Sequence, residues 1–186
     1  MLRTIKLASF TAAVALLAGC AASVMQTPTS ATAPSAAPRA QAPSGALVAV
    51  VSGSTAMQTS SDWPAFVEEW QTSMANSASG SKMAFVLAKD EATVPANGAV
   101  LVRLTVNDFK YVSTTKRYLL GIMAGNAYMD VDAEYLELPS KKPFGAKKFN
   151  TSSSAWQGIF SAVTPKQVQA VSDVIVKEVV STAPAK

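Results

Sequence analysis

From Ala99 to Val112 the chain alternates, with Val100, Val102, Leu104 and Val106 on one side and Arg103, Thr105 and Asn107 on the other. Ala127 to Leu138 repeats the pattern, setting Met129, Val131, Ala133 and Tyr135 against Asp130, Asp132 and Glu134. A period of two belongs to a strand, because successive side chains leave the backbone on opposite faces. A strand with one apolar and one polar face lies with one side on a core and the other in water, as antiparallel strands commonly do. These two stretches commit the middle of the chain to a sheet that is covered on one face.

The flanking segments supply the rest of a domain. Leu47 to Val51 is an apolar run ending at Ser52-Gly53, and Met83 to Ala88 is another, both short enough for buried strands. Between them Asp62 and Pro64 mark a helix start. Trp63, Phe66, Val67, Trp70 and Met74 then line one helical face, with Gly80 as the stop. After the alternating strands, the two Pro and the Gly between Pro139 and Ala146 predict a turn, and Lys147 to Ser152 a last strand. Ser154-x-x-Gln157 and Thr164-Pro165-x-Gln167 both fit a capping box. The first opens a short segment with Trp156, Ile159, Phe160 and Val163. The second opens a helix carrying Val168, Val171, Ile175 and Val179 to about Ser181. The expectation is an α+β, two-layer domain over residues 46–183, with a mixed sheet of about five strands and helices packed on one face. The aromatics Trp63, Trp70, Trp156 and Phe160 are read as core.

The N-terminus reads as an address. Arg3 and Lys6 precede Leu7–Leu17, an uncharged run long enough for a signal peptide and too short to span a bilayer. It closes in Leu17-Ala18-Gly19-Cys20, which resembles the bacterial lipobox, where cleavage before the cysteine leaves a thiol that carries diacylglycerol. Cys20 is the only cysteine of the 186 residues. The resemblance implies a signal peptide over residues 1–19 and a lipid on Cys20. With Ala21 rather than Asp next, it also implies an outer-membrane anchor with the domain in the periplasm. Residues 20–45 then form a linker rich in Pro, Ala, Ser and Thr, too poor in apolar surface to offset chain entropy and expected to be disordered. As an extended tether its 25 residues after the cysteine would reach up to about 75–80 Å.

Lys116-Arg117-Tyr118-Leu119-Leu120-Gly121, then Gly125-Asn126-Ala127, the strand Tyr128 to Leu138 and a Pro/Gly turn form a series. It resembles the bacterial domain-of-unknown-function family 4410, mostly small lipoproteins, over residues 46–182. Where many members have Asp-x-x-Thr-Gly at the turn, this chain has Glu137-Leu138-Pro139-Ser140-Lys141-Lys142. The resemblance implies a fold and a lipoprotein, and no activity. At the level of element order the chain is also similar to periplasmic lipoprotein domains that activate penicillin-binding proteins or build the curli secretion pore.

Composition narrows the chemistry. The chain has no histidine, which removes the usual general base and most zinc sites, and a lone cysteine makes no intramolecular disulfide. Sixteen Lys and Arg stand against twelve Asp and Glu. Losing Arg3 and Lys6 with the signal leaves a net charge of only +2, which argues against nucleic acid as a partner. No Gly-rich phosphate loop and no Ser-x-x-Lys motif is present. The row Asp130, Asp132, Glu134 shares one strand face at about 6.5–7 Å spacing. It suits either a calcium ion or, as the plainer reading, pairing with Arg103 or Lys110 on the neighbouring strand. The expectation is a non-enzymatic module without metal or cofactor. Its partners would be the membrane, through the lipid, and an envelope protein or a second copy.

The unusual segment is Tyr118 to Gly125, where Tyr118, Leu119, Leu120, Ile122 and Met123 crowd a connection that normally takes polar turn residues. Read as a hairpin between two strands, it has two possible fates. Folding back onto the core is the commoner fate of apolar residues in a small domain. Exposure would make it a docking surface for a partner or the membrane, with Lys116 and Arg117 steering it.

Lipidation is directly testable. Cys20→Ala is expected to abolish palmitate incorporation in metabolic labelling and to leave unprocessed precursor or an unlipidated product. Label that persists in the variant would mean that the anchor lies elsewhere.

Overall fold

The computed structural model describes residues 23–28, 45–152 and 163–182. The lipobox residues Leu17, Ala18, Gly19 and Cys20, most of the linker, and the Ser154/Gln157 segment with Trp156, Ile159 and Phe160 lie outside them. In chain order the elements are β1 (Ser23–Pro28), β2 (Ala46–Gly53), α1 (Thr55–Gln58), α2 (Trp63–Gly80), β3 (Phe85–Ala88) and β4 (Gly98–Lys110). There follow α3 (Thr114–Leu120), β5 (Tyr128–Glu137), β6 (Lys142–Ser152) and α4 (Thr164–Thr182). Short 3-10 turns cover Glu91–Thr93 and Gly121–Ala124.

The sheet runs β1-β6-β5-β4-β2-β3. Strands β4, β5 and β6 form the expected antiparallel meander, while β2 lies parallel to both β3 and β4. A parallel neighbour requires a long crossover, and α2 provides it between β2 and β3. The five strands of the domain make the α+β mixed sheet anticipated from the pattern. A sixth comes from within the stretch read as linker: Ser23–Pro28 pairs antiparallel with β6, from Ser23 opposite Ser152 to Pro28 opposite Lys147.

Helices α2 and α4 lie side by side on one face. Phe66, Trp70, Met74 and Ala78 of α2 and Val168, Val171, Ile175 and Val179 of α4 are fully buried against Val100, Val102, Leu104, Met129, Val131 and Tyr135. Phe66 stacks on Phe109 of β4 at 4.5 Å between ring centres, edge-on to Trp70. Where the helices meet, Ser77 donates to Asp173 at 2.6 Å and accepts from Gln169 at 2.9 Å.

No described helix covers the other face, yet half of it is dry. Val48, Val50, Leu101, Leu136 and Leu138 form a second apolar cluster there, closed by Val94. Strand topology explains it. The segment 89–97 must return from the end of β3, level with Val50, to the start of β4, level with Ala46, on the far side of β2. It does so across this face, held by the Asp90 carboxylate, which accepts from the Ala92 and Thr93 N–H groups at 3.0 Å.

Two local expectations are corrected. Strand β6 begins at Lys142, so the turn is shorter than Pro139–Ala146; a register shift near Leu136 absorbs Pro143 into the ladder. The Thr164/Gln167 pair also works differently from a capping box. The Thr164 hydroxyl accepts from the Val112 N–H at 2.8 Å, and the Thr164 N–H donates to the Val112 carbonyl at 3.0 Å. The Gln167 carboxamide donates to the Ala127 carbonyl at 3.0 Å and accepts from the Thr151 hydroxyl at 3.0 Å. All three side chains are buried. The same residue types that cap a helix here bolt it to the ends of β4, β5 and β6.

That bolt should be measurable. Gln167→Leu keeps approximate volume and removes two buried hydrogen bonds. Each is worth about 0.5–1.5 kcal/mol net, so urea denaturation should show a loss of roughly 1–3 kcal/mol. A variant as stable as the wild type would show that the tie does not hold α4 to the sheet.

Candidate functional site

The connection from β4 to β5 is not a hairpin loop but a helix and a 3-10 turn. Ser113 caps α3, its hydroxyl accepting from the Lys116 N–H at 3.0 Å. Gly121 ends the helix at φ +53°, in the left-handed region that glycine tolerates best, and its N–H bonds back to the Arg117 carbonyl.

The helix is amphipathic the wrong way round. Tyr118 is 74% exposed, Leu119 73%, Leu120 49%, and Met123 in the following turn 87%. Arg117, the charge among them, is 2% exposed. Of the two fates open to this segment, exposure is the one found for Tyr118, Leu119, Leu120 and Met123, which do not fold back onto the core. Three consecutive apolar residues span most of a helical circumference, so a helix resting on one side cannot bury them all. The side that rests belongs to Arg117, beside the small cluster of Val112, Ala124 and Ala127. Of the named surface residues, Lys116, Leu119, Leu120 and Met123 are each exposed, and the Ile122 side chain lies outside the described structure. Arg117 is withdrawn from the surface, which corrects its proposed steering role. Its Nη1 donates to the Gly121 carbonyl at 3.0 Å, while Nε and Nη2 have no partner among the described residues.

The rim carries mixed charge. Lys110 and Lys116 are exposed, and a side chain at Gly125 would meet the Lys110 ammonium at 2.6 Å, so that lysine lies across the turn. The half-exposed Tyr128 stands beside Asp108, whose negative charge raises the phenol pKa. Nearby, Tyr111 donates to Glu69 at 3.3 Å. Burial first, then the Glu69 charge, pushes that phenol up to about 12, which makes it a donor and not a base near neutral pH. A shallow cleft of about 380 Å³ beside it is lined by Met57, Ser60, Asp62, Phe109, Lys110 and Tyr111.

The carboxylate row on the open sheet face is occupied by its neighbours. Arg103 bonds Glu91 at 2.7 Å and also Glu134, and Lys141 reaches Glu91 at 3.0 Å. The Asn107 amide bridges Asp130 at 3.0 Å and Asp132 at 2.7 Å. Lys148 of β6, rather than Lys110, pairs with Asp130 at 3.0 Å. Burial alone would raise the Asp130 carboxyl, but hydrogen bonds from Asn107, Lys148 and Asn150 outweigh it and hold the group below its ordinary value. Among the described residues, no group of three or more acidic, His or Cys side chains is arranged to hold a metal. No described helix is long and apolar enough to cross a membrane.

No family model matches the chain, and no curated protein does; the likeness to family 4410 rests on the quoted motif residues. Solved structures do match. The PelC dodecamer from Paraburkholderia phytofirmans aligns with 82% of this chain and 95% of its own at 14% identity, with a TM-score of 0.51. A Xanthomonas campestris protein of the domain-of-unknown-function family 330 aligns with 78% of this chain and 90% of its own at 12% identity, with a TM-score of 0.48. The PelC match is a likeness of fold.

The ion network gives a further test. Arg103→Ala should cost about 0.2–1 kcal/mol for each of its two half-exposed pairs, less in high salt. The Glu91 carboxyl is held below its ordinary 4.5, first by the Arg103 hydrogen bond and then by Lys141. Its contribution is thus present above that value and lost as pH falls through the lowered one. Acid titration of stability should be shallower in the variant; an identical profile would show that the network is ornamental.

Proposed function

We propose that this chain is an outer-membrane-anchored lipoprotein, held by lipid on Cys20, with its domain in the periplasm acting as a non-enzymatic docking module. Membership of family 4410 is part of the proposal. The observation that carries the docking role is the inverted helix α3 with its following turn, which present Tyr118, Leu119, Leu120 and Met123 to solvent while Arg117 is buried. Monomeric proteins rarely leave large apolar side chains contiguous and uncovered unless something binds there. The absence of histidine from the sequence and the internal pairing of the carboxylate row favour binding over catalysis.

A second reading is self-association through the same surface. It is favoured by the fold match to PelC, which is described as a dodecamer. Size-exclusion chromatography with light scattering on the unlipidated mature chain separates a monomer from an assembly.

The double variant Leu119→Ser with Met123→Ser tests the surface in both readings. Exposed substitutions shift stability by no more than about 0.5 kcal/mol, so the melting temperature should not move. Binding to native membranes or self-association by the unlipidated chain should be lost. A large drop in melting temperature would make these residues core, and undiminished association would put docking elsewhere.

A further inference from the structure

The register of β1 bears on what the α3 surface meets. Ser23 pairs with Ser152, Ser152 with Tyr128, and Tyr128 with Lys110. These four residues form one row across four strands, so they mark the same end of the sheet. At about 4.8 Å between strands the row is roughly 15 Å wide. Helix α3 and its 3-10 turn are the connection from Lys110 to Tyr128, and so the exposed apolar residues project from this end. The turn between β5 and β6, with Ser140 and Lys141, marks the opposite end.

Cys20 precedes Ser23 by three residues, a reach of about 10 Å even when fully extended. A flexible linker of 25 residues would have allowed up to about 75–80 Å. With β1 in the sheet, Ser23 and the apolar surface stand at the same end of the sheet, and the chain length from Ser23 bounds how far the anchor can be from it.

Resting on the lipoprotein reading above, we infer that β1 seats the domain on the membrane, and that the partner of the α3 surface is the phospholipid bilayer at its headgroup boundary. The side-chain chemistry fits that level. Tyr118 and Tyr128 have an apolar ring and a polar tip, which favours the interface, and Leu119, Leu120 and Met123 supply apolar surface to enter it. On the rim, Lys110 and Lys116 are placed to meet headgroup phosphates, with Asp108 beside Tyr128 and with Asp62 and Glu69 set back around Tyr111.

Photo-crosslinking in the full-length chain, expressed in a bacterial host and checked for palmitate incorporation, tests the inference. A photoreactive residue at Met123 should give a phospholipase-sensitive lipid adduct, and one at Ser140 should not. Val24→Pro with Met25→Pro places proline at two successive positions of β1, so at least one removes an N–H from the β6 ladder. That variant should keep its palmitate and its fold while the Met123 lipid adduct is lost. Met123 adducts to polypeptide alone, equal lipid adducts at Met123 and Ser140, or an adduct undiminished by the prolines would each overturn the inference, and the first would leave the docking reading intact. Absence of palmitate would instead remove the anchor, and this inference with it.

Discussion

Everything at the working end of this domain depends on the paired hydrogen bonds between Val112 and Thr164. The Val112 N–H donates to the Thr164 hydroxyl at 2.8 Å and the Thr164 N–H donates to the Val112 carbonyl at 3.0 Å, joining the chain just beyond β4 to the start of α4 in a fully buried place. A donor or acceptor left single there would cost its full desolvation, so the pair works as a specific lock. Gln167, one turn further on, repeats the device toward Ala127 and Thr151. With both in place, the chain's exit from β4 is fixed, two residues beyond the strand, against the start of α4. Helix α3 is built on that exit, over the small cluster of Val112, Ala124 and Ala127.

The inverted helix follows from the same constraint. So short a helix has little intrinsic stability, and this one contributes no large apolar side chain to the described core. It is held by the Ser113 cap, by the Gly121 turn and by Arg117, whose stem and guanidinium lie beneath it. Among the described residues only one nitrogen of this buried arginine is bonded, and burying a guanidinium costs hydration that its partners must offset.

What the sequence discloses divides along physical lines. The faces of β4 and β5 were legible residue by residue, since a period of two is a local signal and both strands have one wet side. The face of α2 from Phe66 to Met74 was legible for the same reason at helical period. Strand β1 was not, because Ser-Val-Met-Gln-Thr-Pro has little apolar content, and an edge strand can join a sheet through backbone groups alone. Thr164 and Gln167 misled because their spacing fits a local cap, while their partners lie 52 residues away for Thr164 and 40 and 16 for Gln167. In α3 the crowd of apolar residues drew attention as a hairpin, although Ser113, a good cap three residues before Lys116, was the available sign of a helix. Which side of that helix would be buried lay beyond any periodicity, since four consecutive residues from Arg117 to Leu120 cover the whole circumference.

The size of the exposed surface makes sense only together with its position. Fully burying a leucine or methionine is worth about 1.5–3 kcal/mol, and a residue dipping partway into a headgroup region gains less. Four such residues, after the cost of lost motion, would hold a free domain to a membrane weakly. Tethering changes the arithmetic, because a covalent lipid turns the contact into an intramolecular event at millimolar effective concentration. The effect is strongest when the leash is short and aimed, as three residues beyond β1 would be, and dwindles for a long flexible one. On this reading a modest patch suffices where the anchor is close. Strand β1 is then the element that couples lipid to surface, and its weak sequence signature reflects a task that needs only backbone pairing.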